Sequence, residues 1–196
     1  MALRLCRPTL GIAALAASAA VTLAHAAPER YVVDPTHTFT MFEVRHFNTS
    51  TVRARFDRTE GFVLLDRESR TGRAEITIDT ASVSSGIASF DTHLKNPDFF
   101  DSARVPKARF VGTQFSFDGE EVTAVAGELT LLDKTLPVAL KATNYNCYDS
   151  PILKARVCGG DFETTIKRSR WGMNWGIDRG IPDDVRLLIQ IEAVRR

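Results

Sequence analysis

From Tyr31 to the C-terminus the hydrophobic residues recur with a period of two. Thr38, Thr40, Phe42, Val44 and His46 fall on one face of a predicted strand, and Ala74, Ile76 and Ile78 on one face of another. Thr113, Phe115 and Phe117 make a third set. Val125, Gly127, Leu129 and Leu131 make a fourth, continued by Leu136, Val138 and Leu140. Phe162, Thr164 and Ile166 follow, and Val185, Leu187, Ile189 and Ile191 close the series. Glu75, Thr77, Lys167 and Glu192 occupy the opposite faces. This alternation predicts antiparallel strands with one face buried and one in water. Asp118-Gly119, Asp133-Lys134 and Gly159-Gly160 read as hairpin turns, and Pro182-Asp183-Asp184 as the turn before the last strand. The count is about eight or nine strands, which suits a closed barrel or a sandwich.

One stretch breaks the pattern. Val83, Ile87, Phe90 and Leu94 recur at helical spacing, which predicts a short amphipathic helix with these four residues buried and Lys95 wet. Asn96 and Pro97 then open a second turn, Asn as cap and Pro at the first position, followed by Phe99 and Phe100. A helical insertion over 84–101 in an antiparallel chain has to cover something apolar, and the open end of a barrel is the natural candidate.

The first 26 residues read as an export signal. Arg4 and Arg7 precede an Ala-rich apolar run from Leu10 to Leu23, and Ala24-His25-Ala26 is a small-x-small cleavage site. The run is too short to span a membrane, and no later segment approaches that length. Residues 27–196 are expected to form one domain in the periplasm. Losing Arg4 and Arg7 takes the net charge from +1 to −1, which argues against nucleic acid as the partner. Two cysteines remain in that domain, Cys147 and Cys158. In an oxidising compartment an even pair is most simply a disulfide, worth about 2–3 kcal/mol in the chain-entropy model.

Several separated motifs converge on one family. Tyr31 to Thr38 reads YVVDPTHT, and Phe42-Glu43-Val44-Arg45-His46 follows. Asp91-Thr92-His93-Leu94, Asp98-Phe99-Phe100-Asp101 and Pro106-Lys107-Ala108-Arg109-Phe110 come next. Gly127-Glu128-Leu129-Thr130 and Arg168-Ser169-Arg170-Trp171-Gly172-Met173 complete the set. In this order and spacing they resemble the YceI-like family of exported lipid-binding proteins, over essentially the whole of residues 27–196. The resemblance implies an all-β, mainly antiparallel fold: a lipocalin-like eight-stranded barrel with a long apolar channel. It implies a bound isoprenoid lipid or similar amphiphile, of polyprenyl or quinone type, with its tail inside and its head near a mouth. Dimers are common in such proteins, so a homodimer is one option. Asp133 departs from the family pattern, standing near a turn that often carries Gly.

On that reading the channel lining comprises Phe42, Val44, Phe90, Leu94, Phe99, Phe100, Leu129, Leu131, Phe162, Ile166, Trp171 and Met173. His46, Arg168 and Arg170 are the candidates for the polar head. Arg45, Arg53, Arg55 and Arg58 form one basic group, and Lys167, Arg168 and Arg170 a second. Two rival readings stand beside the carrier. A metal-dependent enzyme would use His37, His46 and His93, although their spacing matches no compact metal motif. A packed, ligand-free domain would serve in stress response or protein interaction. No nucleophile elbow or phosphate-cradling glycine loop occurs, so neither catalysis nor a cofactor is expected.

Overall fold

The computed structural model describes residues 27–196; the signal segment, residues 1–26, lies outside them. The strands are β1 (Glu29–Val33), β2 (Phe39–His46), β3 (Ser50–Phe56), β4 (Thr59–Asp66), β5 (Thr71–Asp79), β6 (Val83–Ser84), β7 (Lys107–Asp118), β8 (Glu121–Leu131), β9 (Lys134–Ser150), β10 (Ala155–Lys167) and β11 (Asp184–Arg195). The single α-helix described is α1 (Ala88–Leu94). Pairing runs β1-β4-β5-β7-β8-β9-β10-β11 and returns from β11 to β1, a closed antiparallel circuit of eight strands. β11 is shared lengthwise: Ala193–Arg195 pair with β1 and Arg186–Gln190 with β2. β3 then pairs with β2, and β6 with β3. Three positions of the barrel are therefore broken strands, β1 with β2, β3 with β4 and β5 with β6, which is why eight positions are built from eleven segments. Closure leaves no free edge on the circuit.

The alternating residues point inward as their period demands, and β-bulges account for the places where they do not. The β7–β8 register shifts between Gly112 and Gln114, leaving Thr113 unpaired and exposed. Phe110 is buried before the bulge, and Phe115 and Phe117 pack inward after it. An extra residue swaps faces, so Thr113 does not belong with the two phenylalanines as the alternation predicted.

Three further expectations are corrected. Gly159 and Gly160 lie inside β10, paired with Asn146 and Tyr145 on one side and Glu192 and Ile191 on the other. A Cβ on either would run into the backbone carbonyl of Ile191 or Asn144. They permit close strand approach rather than a turn, and the β9–β10 hairpin turns at Pro151–Lys154. The Asp133-Lys134 turn shifts back by one residue: Leu132 and Asp133 both adopt positive φ, 49° and 61°, between the paired Leu131 and Lys134. Asp133 thus takes a backbone conformation that the family's usual Gly would enter freely.

The helix is shorter than its spacing implied. Val83 is buried as a strand residue opposite Phe56. Gly86, at φ +82°, breaks the chain direction, and Ile87 is an extended N-cap residue, 59% exposed. Helix begins only at Ala88, so the four-residue apolar face reduces to Phe90 and Leu94, and Lys95 is half-buried rather than wet. Asp91 Oδ1 accepts from the Ser85 backbone N–H and hydroxyl, both at 2.6 Å, which ties the helix to the preceding turn. Asn96 caps the next turn as expected, its Oδ1 accepting from the Asp98 N–H at 2.9 Å. The chain folds back through Phe100 N–H to Leu94 O, 3.0 Å.

Candidate functional site

The barrel interior holds two chambers joined end to end. The lower one, about 130 Å³, is lined by residues such as Tyr31, Val63, Phe110, Phe115, Tyr145 and Ile191, with no charged side chain among its lining. The upper one, about 280 Å³, lies beneath α1 and the loop after β10. Thr40, Ile78, Leu129 and Leu187 line both and form the waist. Together the chambers fall in the lower range of roughly 300–1,000 Å³ typical of small-molecule sites.

The upper chamber is roofed by aromatic side chains from outside the barrel circuit. Phe100 packs edge-on against Phe56 and Phe42, with ring centroids 5.0 and 5.6 Å apart. His93 meets Phe99 at 4.8 Å and Trp175 at 5.2 Å, and Phe99 meets Trp175 at 5.4 Å. The Asn96 amide N–H donates to His93 Nδ1 at 3.1 Å, an assignment that leaves the imidazole proton on Nε2.

The loop carrying Trp175 is held by a buried cation. Arg168 is 4% exposed. Its Nε donates to Pro182 O at 3.0 Å, Nη1 to Met173 O and Trp175 O at 3.1 and 2.8 Å, and Nη2 to Ile181 O at 3.4 Å. Burial pushes the Arg168 pKa down from the ordinary arginine value, opposed by the charge of Asp183. Asp183 in turn accepts from the Ser169 N–H at 2.8 Å and the Ser169 hydroxyl at 2.7 Å. Burial alone would raise the Asp183 carboxyl, but those two bonds, with Lys167 and Arg168 nearby, hold it below the ordinary carboxylate range.

Most residues expected to line a channel border one of the two chambers. Phe42, Val44, Phe90, Leu94, Phe99, Phe100, Leu131, Ile166 and Met173 line the upper chamber, Phe162 the lower, and Leu129 both. Trp171 does not. It is 1% exposed and packs in the wall, with Nε1–H donating to Leu129 O at 3.2 Å.

The head-group candidates divide. His46 lines the mouth of the upper chamber. Arg168 borders the chamber, but its donors are spent on four carbonyls of its own loop. Arg170 is exposed on the outside, its guanidinium 5.9 Å from the Trp171 ring. The first basic group also splits: Arg53, Arg55 and Arg58 pair outside with Glu43, Asp57 and Asp79 at 2.7, 2.7 and 2.9 Å, whereas Arg45 reaches the mouth. Arg179, which carried no sequence signal, stands at the same mouth. The waist residues Thr40, Ile78 and Leu187 were visible as inward-facing positions, but nothing in the spacing marked them as a junction.

The three histidines do not converge. His37 lies outside the barrel, its Nδ1 2.9 Å from Asp34 Oδ2, and that carboxylate raises its pKa. His46 and His93 line the upper chamber on different elements. Among the described residues no group of three or more His, Cys, Asp or Glu is placed to hold a metal ion.

At the far end of the channel, Cys147 and Cys158 are disulfide-bonded across β9 and β10. Arg67 Nη2 lies 3.1 Å from both sulfurs, Nη1 donates to Glu120 O at 3.2 Å, and Nε faces Glu29 at 3.9 Å. Tyr31, 1% exposed, donates to Glu29 at 2.6 Å. No helix among the described residues is long and apolar enough to cross a membrane.

Comparison with known proteins gives this architecture a family. The YceI-like domain matches residues 31–193. A UPF0312 protein of Pseudomonas aeruginosa is 30% identical over 189 residues, covering 94% of this chain and 97% of the relative. Protein YceI of Escherichia coli O157:H7 is 30% identical, covering 82% of this chain and 83% of its own. Among solved structures, Burkholderia cenocepacia BcnA aligns with a TM-score of 0.68 at 22% identity, covering 82% of this chain and 99% of its own. A polyisoprenoid binding domain from Saccharophagus degradans aligns with a TM-score of 0.61 at 16% identity, covering 85% of this chain and 98% of its own. The two structures share the barrel fold, and the sequence match over nearly every strand places this chain in the YceI-like family.

Proposed function

We propose that the protein binds and carries a long-chain isoprenoid lipid or similar amphiphile, of polyprenyl or quinone type, in the periplasm. The observation that carries this reading is the two-chambered channel. Its lower chamber is lined without a charge, and its upper chamber widens beneath an aromatic roof. The tail threads the waist into the lower chamber. Each methylene removed from water contributes about 0.8 kcal/mol, so a long tail binds tightly without polar contacts. The head stays above, where His93 Nε2–H and the mouth residues Arg45, His46 and Arg179 offer donors and no carboxylate lines the chamber. A polyisoprenoid-binding structural relative supports the ligand class, and the N-terminal signal supports export, with residues 27–196 as the working domain.

Organic extraction of the protein purified from the periplasm, followed by mass spectrometry, tests the reading. A long-chain isoprenoid should be recovered, and the intact mass should correspond to a chain starting at Ala27. Leu129→Gln places an amide at the waist. An unpaired amide in apolar surroundings costs about 2–3 kcal/mol, so lipid recovered per folded protein should fall by roughly tenfold or more. Wild-type protein that carries no lipid and cannot be loaded with one defeats the carrier reading. Equal binding by the variant removes Leu129 from the tail's path.

A further inference from the structure

We propose that the rim of the upper chamber is a docking surface for an anionic lipid bilayer. Six large hydrophobic side chains are exposed among the described residues, and they fall in two groups. Tyr148, Ile152 and Leu153 sit on the β9–β10 hairpin at the far end. Phe47, 51% exposed, and Trp175, 36% exposed, line the upper mouth, and Ile87 caps the nearby helix.

Phe47 is an unusual residue for its place. It occupies the tip between β2 and β3 at φ +48°, followed by Asn48 at +57°. Gly or Asn would adopt that left-handed backbone at less cost than a bulky aromatic residue. The ring meets that of His46 edge-on, centroids 4.8 Å apart, and projects from the tip toward the loop after β10. The Phe47 ring lies 3.6 Å from where a Cβ would stand on Gly180. The hairpin tip and that loop therefore form one continuous apolar rim.

Charge completes the argument. The ionisable residues lining the upper chamber are Arg45, His46, His93, Arg168 and Arg179, with no Asp or Glu. Arg168 is internally satisfied, so the charges offered outward are Arg45 and Arg179. Arg45 is fixed at the tip by bonds to Asn48 O at 2.8 Å and Thr51 Oγ1 at 3.3 Å. The acids nearest in sequence are Glu43, which pairs outside with Arg53 and Arg186 at 2.7 and 3.3 Å, Asp91, which accepts from Ser85, and Asp178, which is exposed; none of them lines the chamber. The positive character is local, because residues 27–196 as a whole carry a net charge of −1. Aromatic side chains that enter the headgroup layer, flanked by arginines that attract anionic lipid, are the recognised elements of interfacial binding. The choice of a bilayer over a protein partner rests on the lipid-binding reading: a mouth held against the membrane lets a tail pass into the channel without crossing water.

The test is co-sedimentation of the purified protein with vesicles of phosphatidylcholine alone and with added phosphatidylglycerol, at low and high salt. Wild type should pellet with the anionic vesicles only, and salt should release it. The Trp emission should shift to the blue on binding as Trp175 leaves water, a readout that needs no substitution. Arg45→Gln with Arg179→Gln should weaken partitioning by about thirty-fold, the effect of two basic side chains near an anionic surface. Phe47→Ser should also weaken it, and Ile152→Ser with Leu153→Ser should not. Absence of vesicle binding, or binding that the rim substitutions leave intact, overturns the proposal. Loss confined to the Ile152–Leu153 variant moves the docking surface to the other end, and self-association that Phe47→Ser abolishes assigns the rim to a second copy. Extracted lipid is measured on the same preparations. Protein that carries lipid but ignores vesicles keeps the carrier reading and loses the docking, and the reverse outcome separates them the other way.

Discussion

The two ends of the barrel are built on different terms. The lower chamber is walled by paired strands, interrupted only by single-residue bulges, and ends in a tied cluster of Tyr31, Glu29, Arg67 and the Cys147–Cys158 disulfide. The upper chamber is roofed by a helix of seven residues, a capped turn and the loop after β10. A strand wall is held by its hydrogen-bond ladder whatever the side chains do, whereas a roof of turns holds only where side chains satisfy its backbone. On the proposed function, rigidity therefore belongs to the end that would seat the tail, and the mobile elements to the end that would hold the head. Local opening draws on segments of low contact density, so the proposed carrier would admit its ligand under α1 and beside Trp175.

The strongest way to break this asymmetry is to remove the pin of the roof. Arg168→Met deletes the cation and leaves four loop carbonyls without their donor, with Asp183 deprived of a nearby positive charge. Breaking a buried charge network by removing one partner costs about 3–5 kcal/mol. The variant should lose that much in denaturant melts. If it folds, amide exchange should rise first over residues 168–183 and not in β10 or β11. A loss below about 1 kcal/mol would show that the loop is held by packing of Trp171 and Met173 instead.

The opposite end should respond differently. Replacing Cys147 and Cys158 together by Ala removes the cross-link and should cost about 2–3 kcal/mol through the unfolded chain. Arg67 loses its sulfur contacts but keeps Glu120 and Glu29. Cys158 lines the chamber proposed for the tail, but its sulfur is a small part of that lining, so lipid recovered per folded protein should fall little. A fall in recovery matching the loss of stability would mean that the far end also shapes the tail's seat.

The same contrast separates what the sequence announces from what it hides. The lower chamber follows from period-two alternation, since each wall residue is inward by strand geometry alone. The exceptions are single-residue events. The bulge at Thr113 hid Phe110 by reversing the phase, and Gly159-Gly160 looked like a turn because Gly serves turns and close strand approach equally. The roof follows no period. Val83, Ile87, Phe90 and Leu94 match a helix by count, but Gly86 divides them into a strand residue, an exposed cap and two true helix positions. Arg168 and Arg170 look identical in sequence. One is buried among carbonyls and the other is in water, and only the path of residues 172–183 decides which. Arg179 at the mouth is set by that same path.

The finest test of the comparison uses pH. Asp183 anchors the roof loop through Ser169, and its carboxyl is held below the ordinary range in the folded protein, hydrogen bonds and nearby cations outweighing burial. A carboxylate whose folded pKa is depressed contributes stability above its unfolded value near pH 4, and that contribution is lost as pH falls toward the folded value. The gap in unfolding free energy between wild type and Asp183→Asn should therefore be constant around neutrality and shrink below about pH 4. His37 moves in the opposite sense. Asp34 raises its pKa, so its contribution is complete below about pH 6.5 and fades as pH rises through the folded value. Asp34 is held below the ordinary range as well, bonds from Thr36 and His37 outweighing burial, so acid loosens both contacts. Amide exchange measured across the acid range distinguishes the two: the roof loop is the longer segment outside any strand ladder, so protection should fall first over residues 168–183, with the β1–β2 break near Asp34 following. Loss in the reverse order would show that the upper roof is not the softer end of the barrel.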